Sequence, residues 1–308
     1  MEGLVCTSCQ SRNSTDAPQT FCTGIVEPKR RGRGTSVWVP GYLERRGAVP
    51  SYEVHAIKYA ERDAVRAEHF VGGDPHDSTP MPMDYFVWLI KDDTGKEWVV
   101  DTGFEQDDAQ SRKRTLLRTA ADGVALLGVN PEKVTDVIMT HFHYDHAGGV
   151  RQFPNATFHA QDQEMSFATG RDMTRKAYSH AFNVRHVQEL VGRVFDQRVA
   201  FHDGDVELAP GLTLHLIGGH TRGLQVVRVD TGHGIVVLAS DASHYWANMD
   251  EGRPFPIIDD LSKMVEGWEI LRRLAGPEGV IIPGHDPLVF ERFPASSRDL
   301  KGIAVRLD

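Results

Sequence analysis

Thr140-His141-Phe142-His143-Tyr144-Asp145-His146-Ala147-Gly148-Gly149 packs three imidazoles and a carboxylate into six consecutive residues. Just upstream, Asp136-Val137-Ile138-Met139-Thr140 reads as a short buried strand, so the histidines stand where a strand ends and a loop begins. Loops carried by a rigid sheet are where sites are usually built. His141 and His143, two apart, can converge on one ion from an extended turn, and Asp145 and His146 on the next bend can reach a second ion beside it. Neutral imidazole and carboxylate suit zinc, and also iron, cobalt or manganese. A polar loop with satisfied histidines is the bland alternative. Four ligand-type side chains at this spacing, followed by Gly-Gly, argue against it.

His141-Phe142-His143-Tyr144-Asp145-His146 matches an HxHxDH signature, and the small residues Ala147-Gly148-Gly149 follow it. On these residues the sequence resembles the metallo-beta-lactamase-fold hydrolases. The resemblance extends from about Tyr52 to the C terminus and implies an α/β fold, a four-layer αββα sandwich with a dinuclear centre along one edge of the sheets.

Composition sets the bounds. With 308 residues and 40% hydrophobic content the chain can bury a full core. The formal charge of -9 gives no support to a nucleic-acid-binding surface. No apolar run approaches the ~18 to 20 residues of a membrane span, and no secretion signal is evident, so a cytoplasmic protein is expected. All three cysteines, Cys6, Cys9 and Cys22, lie in the first 22 residues. Cys6-Thr7-Ser8-Cys9 has CxxC spacing, but a structural zinc site wants four ligands and no second pair follows. Residues 1–50, rich in Ser, Thr, Gly, Arg and Pro and carrying the basic run Glu27 to Gly34, are expected to form a flexible extension. The folded domain is expected over residues 51–308.

Within that domain, Tyr52 to Tyr59 alternates as a half-buried strand, and Arg62 to Pro82 reads as a loop bordering the site. Tyr85 to Ile90 and Glu97 to Val100 read as a hairpin around Asp92-Asp93-Thr94-Gly95. Asp101-Thr102-Gly103 follows, where Asp101 either caps a turn or orients a metal-bound histidine. Arg112 to Leu127 has near-helical apolar spacing and is expected as one helix. Residues 161–196 are polar with helical spacing and are expected as a helical insert, with His180 and His186 facing solvent. Strands separated by glycine turns then lead from Val199 to Ile217, and Leu261 to Leu274 reads as an amphipathic helix.

Three further strand ends deliver ligand-type residues. Gly218-Gly219-His220-Thr221-Arg222-Gly223 resembles the family's GHTxGH segment, with Leu224 where a second His often stands. The apolar run Gly234 to Ser240 ends at Asp241, and Gly279-Val280-Ile281-Ile282-Pro283-Gly284 leads to His285. The resemblance implies that His141, His143 and His220 hold one ion and Asp145, His146 and His285 the other, with Asp241 shared. It therefore implies two divalent metal ions, zinc first, a metal-bridging hydroxide that attacks the substrate, and Asp145 carrying a proton to the leaving group.

The absence of cysteine from the domain disfavours the zinc beta-lactamases that use one at the bridging position. Ser240-Asp241-Ala242-Ser243 followed by an aromatic, together with Pro283-Gly284-His285-Asp286, looks most like the N-acyl homoserine lactonases. Those enzymes place a substrate-binding Tyr three residues after the bridging Asp; here His244 occupies that place and Tyr245 follows, so either is a candidate donor. The expected partner is a small-molecule lactone or ester, with no nucleic acid and no membrane, and a homodimer is allowed. A glyoxalase II-like thioesterase, another lactone or ester hydrolase, and a mono-iron sulfur dioxygenase are the alternatives.

Overall fold

The computed structural model describes residues 50–308, so the expected N-terminal extension, its CxxC pair and its basic run lie outside the described residues. The long strand β1 (Tyr52–Arg62) pairs antiparallel with β2 (Met83–Asp92), which turns back into β3 (Glu97–Val100). The Asp92 carboxylate closes that turn by accepting from Thr94 N at 2.9 Å and Lys96 N at 2.8 Å. Next come α1 (Gln106–Arg112), the two-residue β4 (Thr115–Leu116), α2 (Ala120–Leu126), β5 (Asp136–Ile138), the one-turn α3 (Tyr144–Ala147) and β6 (Thr157–Gln161).

The single helix expected over Arg112 to Leu127 is corrected by these elements. Lys113 ends α1 in a left-handed conformation, φ 56°, and β4 then pairs with β1. Thr119 Oγ1 accepts from Asp122 N at 3.1 Å and so caps α2 as a new helix. The apolar spacing ran through a strand pairing that local sequence does not reveal.

Three helices, α4 (Asp162–Ala168), α5 (Lys176–Ser179) and α6 (Val184–Phe195), lie in the segment read as a helical insert. The chain continues through β7 (Val199–His202), β8 (Val206–Ala209), β9 (Leu212–Leu216), β10 (Gln225–Asp230) and β11 (Ile235–Ser240). It ends with α7 (Trp246–Asp250), α8 (Leu261–Ala275), β12 (Val280–Pro283), α9 (Leu288–Arg292) and β13 (Ala304–Arg306).

The strands form two sheets, ordered β13-β1-β2-β3-β5-β6-β7, with β4 on β1, and β12-β11-β10-β9-β8. The chain crosses from the first to the second in the Asp203-Gly204 turn between β7 and β8. Alternation along β2 shows how the layers arise: Tyr85, Val87 and Leu89 face one core and Phe86, Trp88 and Ile90 another. The second of these cores lies between the sheets, where Trp88 and Trp98 of the first share a cluster with Leu214, Val227 and Leu238 of the second. The outer face of the first sheet packs Val124 of α2, Phe167 of α4 and Leu190 of α6, and that of the second packs Met264, Trp268 and Leu271 of α8. Helix, sheet, sheet and helix therefore stack as an αββα sandwich. β11 feeds both of the second sheet's cores, Val236 and Leu238 inward and Val237 and Ala239 outward, which explains its unbroken apolar run. Among the described residues no helix is long and apolar enough to cross a membrane.

Candidate metal centre

Four strand ends converge. β5 leads to His141, His143, Asp145 and His146, β9 to His220, β11 to Asp241 and β12 to His285, and all seven side chains are buried. The ligand-type atoms of His141, His143 and His220 lie within 4.8 Å of one another, as do those of Asp145, His146 and His285. Asp241 stands between the two sets. Its Oδ1 is 3.3 Å from His146 Nε2 and 3.1 Å from His285 Nε2, while its Oδ2 is 3.2 Å from His220 Nε2 and 3.9 Å from His141 Nε2. Asp145 Oδ2 lies 4.0 Å from His146 Nε2 and 3.8 Å from His285 Nε2.

The donor set fits metal. His141 Nε2, His146 Nε2, His220 Nε2 and Asp241 Oδ1 are fully enclosed and have no hydrogen-bond partner, an unfavourable state for four polar atoms aimed at one place unless cations complete them. Burial first, and then the crowding of neighbouring imidazoles, pushes the pKa of His141 and His143 well below its ordinary value, so both rings are neutral as metal ligation requires.

The rings are fixed from behind. His146 Nδ1 donates to Asp101 Oδ2 at 2.7 Å, and the same carboxylate accepts from Thr140 N at 2.8 Å and Thr140 Oγ1 at 2.7 Å. Asp101 thus both closes the turn and orients a histidine, from a left-handed backbone at φ 63°. His285 Nδ1 donates to Asp84 O and His220 Nδ1 to Ile257 O, each at 2.8 Å. Glu164 on α4 links two ligand loops, one oxygen accepting from Phe142 N and the other from Gly223 N, both at 2.9 Å. A Cβ at Gly223 would collide with the Glu164 backbone, so glycine is required for that approach.

A cavity of about 170 Å³ opens onto the cluster, with His143, Asp145, Asp241, His244 and His285 in its wall. His244 joins the cluster: its Nε2 is 3.0 Å from Asp241 Oδ2, and its ring stacks on Phe255 with centroids 3.5 Å apart. Tyr245 is not brought there. Its hydroxyl donates to Pro82 O at 3.1 Å and lies 3.2 Å from His69 Nε2, because its position at the start of α7 turns the ring into the core. His186, expected to face solvent, is buried, with Nε2 3.1 Å from Asp108 Oδ2; α1 supplies the carboxylate that makes this burial tolerable. His180 is exposed, as expected. Leu224 is packed in the outer core under α8.

Sequence reasoning missed Glu164, His69 and the arginines of the cavity wall. Glu164 had one available signal, a carboxylate at the start of a helix directly after an apolar strand; His69 and the arginines had none.

Comparison with known proteins agrees with this geometry. The model of the metallo-beta-lactamase superfamily matches residues 81–285, more than half of the chain. A probable metallo-hydrolase of Mycobacterium bovis is 26% identical over 315 residues, covering 89% of this chain and 92% of that protein. An N-acyl homoserine lactonase of Bacillus cereus is 27% identical over 164 residues, covering 52% of this chain and 59% of that enzyme. Among solved structures, an N-acyl homoserine lactone hydrolase with the product N-hexanoyl-L-homoserine at its catalytic metal centre superposes with a TM-score of 0.66 at 19% identity, covering 80% of this chain and 97% of that one, a likeness of fold. The chain belongs to the metallo-beta-lactamase superfamily and is one of its metal-dependent hydrolases.

Proposed function

We propose that this hydrolase opens the lactone ring of N-acyl homoserine lactones with two divalent cations, zinc by the nature of the donor set. The observation that carries the dinuclear reading is Asp241, whose two oxygens face two different groups of histidines. The similarity to the Bacillus cereus lactonase supports the substrate class. Cations held by His141, His143 and His220 and by Asp145, His146 and His285 would supply a water acidic enough to ionise near neutral pH and a Lewis acid for the carbonyl.

The chain's own residues do the rest. Asp145 lines the cavity, and its carboxylate can take a proton and hand it to the ring oxygen as that leaves. His244, stacked on Phe255, presents its ring to the same space, while the phenols of Tyr85 and Tyr144 border it as further donors. Tyr245 acts at a distance, by fixing His69. The buried walls exclude bulk water, which strengthens each of these polar contacts.

Acid release from homoserine lactones of short and long acyl chain, followed with a pH indicator on protein carrying two metal equivalents, tests the proposal. Release is expected from wild type, with His143→Ala inactive and Asp145→Asn losing turnover while keeping some metal. No release from either lactone, with both ions confirmed bound, sinks the substrate class; one iron per chain sinks the dinuclear reading.

A further inference from the structure

The wall of the metal cavity also contains Arg62, Arg112 and Arg114. Arg62 is matched by Glu68 at 2.8 Å. Neither Arg112 nor Arg114 has a carboxylate within 4.0 Å among the described residues, although both are half-buried. Arg112 is occupied as a tether: its guanidinium donates to His180 O at 3.0 Å and Phe182 O at 3.2 Å, and lies 3.7 Å over the Tyr144 ring. Arg114 is held at one side only. Nε donates to the Tyr144 hydroxyl at 3.2 Å and Nη1 to Arg112 O at 2.7 Å, which fixes the plane of the group and leaves Nη2 without a partner among the described residues.

A guanidinium carries five N–H donors in a rigid fork that suits a carboxylate, and holding one partly out of water without a counter-ion is unfavourable. The backbone that carries Arg114 is fixed between the left-handed Lys113 and β4, which pairs with β1, and the guanidinium itself is held by its bonds to Tyr144 and Arg112 O. Tyr144 accepts from Arg114 Nε and directs its own O–H to the Tyr85 hydroxyl at 3.5 Å, which links the cation to a second phenol of the cavity wall. A fixed, half-used cation and a phenol therefore face the same cavity as the metal ligands.

We infer that the substrate carries, besides the bond that is cut, a carboxylate that binds Arg114. This rests on the lactonase reading and narrows it: the acyl arm of the lactone ends in an acid. Arg114 is then a specificity-determining residue, and neutral acyl arms bind less tightly.

The test separates binding from turnover. Glutarate and adipate, and the monoamide of each, are titrated calorimetrically into the zinc-loaded enzyme. One carboxylate of each can occupy the metal centre, and only the diacids offer a second to Arg114. A diacid is expected to bind on the order of tenfold more tightly than its monoamide. That ratio falls to near one in Arg114→Gln and is partly kept in Arg114→Lys, which retains charge but loses the fork. Equal affinity for diacid and monoamide in wild type, or a ratio that survives in Arg114→Gln, overturns the inference. If Arg114→Gln does not fold, the wild-type ratio and Arg114→Lys decide. In parallel, a lactone with an acid-terminated arm is compared with its primary amide. A lower KM for the acid supports the inference, equal KM values overturn it while leaving the lactonase standing, and a preserved diacid preference without hydrolysis of either lactone upholds Arg114 and discards the lactone.

Discussion

His141, His143 and His220 are braced by the inserted helix α4, whereas Asp145, His146 and His285 are braced by the first sheet. In the first set, Glu164 ties the two loops that deliver the histidines, and Ile257 O holds His220 from the segment before α8. In the second, the Tyr59 hydroxyl of β1 donates to Asp145 O at 2.7 Å, Asp84 of β2 accepts from His285, and Asp101 at the end of β3 accepts from His146. One half of the centre therefore inherits the rigidity of a sheet. The other has Thr140 Oγ1 3.1 Å from His141 Nδ1 and Ile257 O on His220, but its two loops are tied to each other by one buried carboxylate reaching across from an insertion, with Gly223 letting it approach.

That asymmetry can be broken at its weakest tie. Glu164→Ala leaves Phe142 N and Gly223 N buried without acceptors, and is expected to lower stability by roughly 3 kcal/mol or more in urea denaturation. Metal content should drop from two ions to one per chain; retention of both would show that the first half does not need its brace. In the loop between β1 and β2, burial above all lowers the pKa of His69 to about 4, and its Nε2 lies 3.0 Å from Met81 O. The folded state keeps this ring neutral while the unfolded chain takes up a proton below about pH 6.5. Stability is therefore full above that pH and declines as the pH falls toward 4, by about 3 kcal/mol in all. His69→Gln should flatten that decline in denaturation curves taken across the range. Asp101→Asn should weaken the ion on His146 by roughly 10- to 100-fold, read by competition with a chromogenic chelator, with a smaller loss at the other ion, which Asp101 reaches only through Thr140 and His141. The smallest effect belongs to Tyr59→Phe, which removes one buried hydrogen bond, about 1 kcal/mol, and should leave metal content intact.

The sequence was most legible where chemistry and periodicity coincide. His141 to His146 stand out by their density after an apolar strand, whereas Asp241, a strand-end Asp that is weak as a signal alone, was reached through the order of the family's motifs. It was less legible where a distant partner decides. The pairing of β4 with β1 split the expected helix, Asp108 made a buried residue of His186, and the carbonyl of Pro82 drew the Tyr245 hydroxyl away from the cluster. Arg114 carried no signal and Glu164 only the faint one of a carboxylate opening a helix, because what gives each its role lies dozens of positions away or is a ligand outside the chain.

Glu164 stands in the first turn of α4, before most of the helical segment, and this sets a boundary for recombination between relatives. A graft that exchanges residues 170–198 would import a new ceiling for the cavity and leave the knot between the two histidine loops intact. A crossover placed at or before residue 164 would import a foreign knot together with the ceiling, and would succeed only with a donor whose carboxylate at that place still meets Phe142 N and Gly223 N.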